Sequence, residues 1–246
     1  MTDDENRPPL VLLHGLTFDR RQWDPARREL AVLDPARQIL TPDLPGHGES
    51  PRRASYTMAE VAEAVHDQVT AAGFAQPVVV GHSVGAVVAT TYAARYPVRG
   101  VVNLDQILLP GPFGAVVRQA EPALRGPDWR RVWDGLVAGM GIEALPAEAR
   151  EIVTTATEPR PDLLLGYWGE ILSETDEDIA DERYRALRAI GERNIPYRWV
   201  TSSEPPPRYL AWLRDALPEV VVTVLPGGHF PHLAEPATIA RLLAVS

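Results

Sequence analysis

Short, wholly apolar runs alternate with amphipathic stretches along this chain. Leu10-Val11-Leu12-Leu13 is apolar throughout and ends at His14-Gly15. Such a run reads as a central strand with a loop at its tip. Residues 23–33 carry helical spacing, and residues 38–43 read as a second strand that runs into the turn-rich stretch 44–50. Thr57 with Glu60 three positions on forms a capping box, which starts a helix that ends near Ala72, before Gly73. Val78-Val79-Val80 is a buried strand, residues 84–95 a helix, and residues 98–105 a strand that ends on a carboxylate. From 107 to about 194 the β-rich runs vanish and apolar positions recur at helical spacing. Helices are predicted there near 113–124, 128–140, 146–157, 162–172 and 176–190. Strands resume at 197–201 and 220–225, separated by a helix near 208–216. A tight loop at 226–230 and a helix at 236–245 close the chain.

Strands alternating with helices predict an α/β class with a mostly parallel sheet and helices on both faces. The predicted division is a core of residues 1–106 and 195–246, with a helical cap inserted at 107–194. Ligands of such sheets bind at the C-terminal ends of the strands. His14, Ser83, Asp105, Glu204 and His229 all fall at those ends. Residues far apart in sequence are therefore expected to meet on one edge of the sheet.

Gly81-His82-Ser83-Val84-Gly85 follows the valine strand directly and fits the G-x-S-x-G nucleophile elbow. Ser83 would sit on a strained strand-to-helix corner, with Gly81 and Gly85 removing side chains that would collide there. The helix behind it would point its N-terminal amides at the serine and favour negative charge.

Composition narrows the chemistry. The 246 residues suffice for one large domain, and 45% of them are hydrophobic, which fits a folded globular protein. The formal charge of −9 argues against nucleic acid or an anionic membrane as partner. Every basic side chain other than histidine is Arg and there is no Cys. A lysine base, a thiol nucleophile, disulfides and thiolate metal sites are thereby excluded. Residues 1–9 are polar and acidic, unlike a signal peptide, and no apolar run approaches the ~18 residues of a membrane span. A cytoplasmic protein is expected, with a homodimer left open.

Ser83 is the expected nucleophile and His229 the base, since an imidazole can take and return a proton near neutrality. His232 lies three residues on and competes for that role, although the Gly227-Gly228 turn favours His229. His47 and His66 read as structural. No His, Asp or Glu grouping has metal-binding spacing, and no cofactor is expected. Trp129, Trp133 and Trp168 in the helical segment are candidates for a substrate pocket.

His14-Gly15 after the first strand, Asp43-x-x-Gly46-x-Gly48-x-Ser50, the Ser83 elbow and Gly228-His229-Phe230 together resemble the α/β-hydrolase superfamily. The resemblance covers the chain apart from the middle helices, which correspond to the variable cap. It implies a nucleophile–acid–histidine chain order and an α/β-hydrolase fold. It also implies an oxyanion hole of two backbone amides, from Val84 and from the loop after His14-Gly15, at Leu16. Each such donor is worth roughly 3 kcal/mol in the transition state. The acid stays open between two positions. Most of the superfamily places it where Glu204 lies, but usually as Asp after Gly, and the Ser202-Ser203-Glu204-Pro205 loop departs from that. Some capped members, zearalenone-lactonase-like enzymes and many dehalogenases among them, place it where Asp105 lies, which makes Asp105 the first choice.

The expected activity is cofactor-free hydrolysis of a small or medium apolar carboxylic ester or lactone through an acyl-enzyme on Ser83. Two rivals stand beside it: a C–C bond hydrolase or lyase with the same residues, and a receptor-like homologue that binds a small molecule without turning it over.

Overall fold

The computed structural model describes residues 7–246. Most of the polar leader read at residues 1–9 lies outside the described residues. Its first elements are β1 (Leu10–Leu13), α1 (Asp24–Leu33), β2 (Ile39–Leu40) and α2 (Met58–Ala71). The elbow strand β3 (Val78–His82) and α3 (Val84–Arg95) follow, and then β4 (Gly100–Leu104). The chain next runs through α4 (Gly111–Leu124), α5 (Trp129–Ala138), α6 (Ala147–Thr154), α7 (Pro161–Tyr167), α8 (Gly169–Ser173) and α9 (Asp176–Glu192). It returns to the sheet with β5 (Tyr197–Thr201), α10 (Pro207–Ala216) and β6 (Val221–Val224), and ends in α11 (Pro231–Ala234) and α12 (Pro236–Ala244).

The strands form one parallel sheet in the order β2-β1-β3-β4-β5-β6. Side chains alternate across it with period two. Leu10, Leu12, Val78, Val80, Val102 and Leu104 pack on α1 and α12 through Trp23, Leu30, Ile239 and Leu243. Val11, Leu13, Val79, Val101 and Trp199 face the opposite layer, which α2, α3, α9 and α10 supply. The sheet is thus covered on both faces, which is why its central strands read as unbroken apolar runs.

Local chemistry sets the boundaries. The capping box is present: Thr57 accepts the Glu60 amide, and the Glu60 side chain accepts the Thr57 amide. The strand predicted at 38–43 shrinks to two half-buried edge residues. Pro42 has no N–H to extend the ladder. The helix predicted at 162–172 divides at Trp168, between Gly166 and Gly169, residues of low helix propensity. The short α11 carried no visible period in the sequence.

Candidate active site

The geometry starts at the elbow. Ser83 adopts φ 52 and ψ −128, a conformation that L-residues rarely hold. The glycines around it are obligatory on steric grounds. A Cβ at position 81 would stand 2.1 Å from the Gly85 carbonyl oxygen, and one at 85 would stand 2.5 Å from that of His14. Ser83 is tied to the next strand by its amide, which donates to Leu104 O at 3.1 Å. Its hydroxyl has no hydrogen-bond partner among the described residues and lines a cavity of about 1150 Å³.

His229 lies on the loop after β6 and lines the same cavity. Its Nδ1 is 3.0 Å from Asp105 Oδ2. The other Asp105 oxygen accepts from the amide and the hydroxyl of Ser202, both at 2.9 Å. Burial alone would raise the Asp105 pKa. The bond and charge of His229 and the two Ser202 bonds outweigh that and hold the carboxyl below its ordinary value. Asp105 itself has φ 53, and its amide donates to Val200 O at 2.7 Å.

Glu204 corrects one of the two alternatives for the acid. It is exposed, three residues past β5 at the head of the Pro205-Pro206-Pro207 run, and takes no part in the contacts of His229. The β5 loop instead sends Ser202 to Asp105. Sequence reading passed over Ser202, whose only signal was its place at the end of a strand.

The remaining histidines divide by their surroundings. His14 accepts the Leu44 amide on Nε2 at 2.9 Å, so its Nδ1–H donates to Gly15 O at 2.8 Å. His47 accepts the Thr17 amide at 2.9 Å, and its Nδ1–H points to Pro45 O at 3.1 Å. Burial lowers the pKa of both rings, so both stay neutral. His82 is fully buried, and burial together with His232 and His229 lowers it well below the ordinary value. His232 is buried beside it, with ring centroids 4.5 Å apart, and burial and His229 push it down to about 3. Neither ring nitrogen of His232 has a hydrogen-bond partner. His66 faces α3, where it lies 3.1 Å from Tyr92 Oη and stacks on Tyr96 with centroids 3.8 Å apart.

These same contacts leave two amides unused. In the loop after β1, the Gly15 amide donates to Gln22 Oε1, that of Thr17 to His47, and that of Phe18 to Gly15 O. The Leu16 amide donates to no described residue, and neither does that of Val84 at the first turn of α3. Both residues line the cavity beside Ser83.

Trp133 and Trp168 are on the cavity wall, with ring centroids 6.3 Å apart. Trp129 is not, a second correction. It lies one turn before Trp133 on α5, where the Arg130 guanidinium sits 5.5 Å over its ring. Phe113, Met140, Tyr209 and Trp212 also line the cavity, the last two from α10. Among the described residues no group of three or more His, Cys, Asp or Glu side chains could hold a metal ion. No helix among them is long and apolar enough to cross a membrane.

Comparison with known proteins bears on the family and the fold. RutD of Shigella flexneri, named for carbamate hydrolysis, is 27% identical over 96% of this chain and 90% of its own length. A curated relative at 37% identity matches over 100 residues, which are 40% of this chain and 18% of that protein. The enol-lactonase from Burkholderia xenovorans LB400 superposes with a TM-score of 0.76 at 17% identity, over 99% of this chain and 92% of that one. AqdC, described for recognition and ring cleavage of the Pseudomonas quinolone signal, superposes with a TM-score of 0.76 at 21% identity, over 98% and 91%. At those identities the likeness speaks for the fold alone. Residues 10–242 match the model of the alpha/beta hydrolase family, and the chain belongs to that family.

Proposed function

We propose that this protein is a serine hydrolase of apolar carboxylic esters or lactones, with Ser83, His229 and Asp105 as its triad. The observation that carries the reading is the His229 Nδ1–Asp105 Oδ2 contact of 3.0 Å at the cavity that Ser83 lines. A carboxylate on Nδ1 fixes the tautomer and leaves Nε2 free to take a proton. In the proposed reaction Ser83 Oγ attacks the carbonyl carbon as His229 Nε2 takes the hydroxyl proton. The oxyanion accepts from the Leu16 and Val84 amides, which have no other partner among the described residues. His229 then gives its proton to the leaving alkoxide, and water, activated by the same nitrogen, releases the acid. Ser83 Oγ and His229 share no hydrogen bond in the structure, and such bonds commonly close only around substrate. Phe113, Trp133 and Trp168 on the wall support an apolar small-molecule substrate.

The His229–Asp105 contact also fits one other reading. A neutral imidazole held by Asp105 can take a proton directly from an acidic substrate, as a first step toward C–C bond cleavage. The ring-cleavage description of AqdC lends that reading support. One experiment separates the two. A fluorophosphonate should modify Ser83, as mapped by peptide mass spectrometry, and Ser83→Ala should lose ester turnover with its fold intact. Full ester turnover in Ser83→Ala, or labelling at another residue, rules out the acyl-enzyme.

A further inference from the structure

Asn103 stands in the middle of β4, 1% exposed, among Val101, Val102 and Leu104. An apolar side chain there would avoid the cost of burying a carboxamide. Its hydrogen bonds show where that group is used. Asn103 Oδ1 accepts the Gln106 amide at 3.1 Å, and Asn103 Nδ2 donates to the Gln106 carbonyl at 2.9 Å. A backbone N–H can only donate and a C=O can only accept, so the orientation of the carboxamide is fixed. Asp105 lies inside this clamp. Its own amide is held by Val200 O, and the next residue is held at both its amide and its carbonyl by Asn103. The positive φ of Asp105 is therefore imposed from both sides.

The carboxamide also reaches across the sheet. Asn103 Nδ2 lies 3.2 Å from Tyr197 Oη, which is 2.8 Å from Thr90 Oγ1, and Thr90 Oγ1 donates to Ala86 O at 2.8 Å. Each hydroxyl has one proton. Thr90 gives its proton to Ala86, so Tyr197 must give its own to Thr90 and accept from Asn103. The order runs one way, from the Asp105 turn to the first turn of α3, the helix that follows Ser83. All three side chains are buried, where an unmet polar group is costly.

We infer that Asn103 is a positioning residue for the Asp105–His229 pair, and that Tyr197 and Thr90 hold the Asp105 turn in register with the Ser83 helix. This rests on the acyl-transfer reading above. The test uses the rate of Ser83 modification by a fluorophosphonate, followed by intact-mass spectrometry across pH, for the wild type, Asn103→Leu and Tyr197→Phe. It needs no knowledge of the substrate. Asn103→Leu should label about 10- to 100-fold more slowly. The acidic limb of its rate profile should move to lower pH, because a misaligned carboxylate stabilises the imidazolium less. Tyr197→Phe keeps the clamp but cuts the relay, and should show a smaller loss in the same direction. A role confined to folding would lower the melting temperature and leave the limb in place. Folded variants that label at the wild-type rate with an unmoved limb overturn the inference. Should Asn103→Leu fail to fold, Tyr197→Phe decides alone, on the same criterion. A wild-type protein that is not labelled at Ser83 fails the acyl-transfer reading itself and takes this inference with it. Wild-type labelling with indifferent variants fails only the positioning role.

Discussion

His82 Nε2 lies 2.6 Å from the carbonyl oxygen of His229, so the residue before Ser83 holds the loop that carries the imidazole. Burial keeps His82 neutral, and a carbonyl can only accept, so the proton sits on Nε2. Gly227 and Gly228 in that loop have φ of 128 and 60, conformations with little restraint of their own. Removing the donor should loosen the loop. His82→Leu is expected to lower kcat for p-nitrophenyl butyrate by tenfold or more, with KM changed little. His82→Gln, which keeps a donor, should recover part of the loss. Equal kcat in His82→Leu and the wild type would show that the contact does not position His229.

The acid assignment gives a sharp contrast. Asp105→Asn should reduce kcat by about 10⁴-fold, because the imidazole loses the partner that fixes its tautomer. Glu204→Gln changes an exposed side chain and should leave kcat within a factor of two. Steady-state kinetics on the two variants check both, and the reverse order would return the acid to β5.

Acid stability should report one buried carboxylate, Asp43, and one partly buried one, Asp105. Asp43 accepts from the Arg20 and Glu49 amides and from the Arg20 guanidinium; burial opposes its ionisation, but these bonds hold its pKa below the ordinary value. Asp105 is lowered in the same way. A folded-state pKa below the unfolded one means that the unfolded chain binds protons more readily in acid. The stabilisation is thus complete above the unfolded value, near pH 4, and is lost as pH falls through the folded value. Asp43→Asn should cost on the order of 2 kcal/mol in urea unfolding at pH 7 and less at pH 3, below the unfolded value. An equal cost at both pH values would remove the charge from the explanation.

Gly81→Ala tests the elbow as a packing constraint. Both atoms that meet at 2.1 Å belong to backbone or to the new Cβ, so no rotamer change relieves the clash. A destabilisation above ~4 kcal/mol is expected, read as loss of soluble protein or collapse of the urea midpoint. Gly73→Ala makes no close contact but sits at φ 75, and should cost far less.

The two tryptophans of α5 should part in function. Trp133→Ala opens the cavity wall and should raise KM for bulky apolar esters about tenfold, while Trp129→Ala should leave kcat/KM unchanged. A comparable loss in both would move Trp129 back to the substrate.

The linear chain by itself determined the order of strands and helices, the elbow, and the histidine after the last strand. These are local matters: period two against period 3.6, a capping box at Thr57, and glycines where any Cβ meets backbone. It left the carboxylate open because Asp105 and Glu204 end neighbouring strands, and sequence position alone does not tell which one reaches His229. The tertiary structure decided that through long-range contacts. Asn103 clamps Gln106 and turns the chain at Asp105, while Ser202 from the next strand occupies the carboxylate oxygen that His229 leaves free. The tryptophans were undecided for a related reason. Helical spacing says which residues share a stripe, but only tertiary packing says how far along the stripe the cavity extends, and it stops between Trp133 and Trp129.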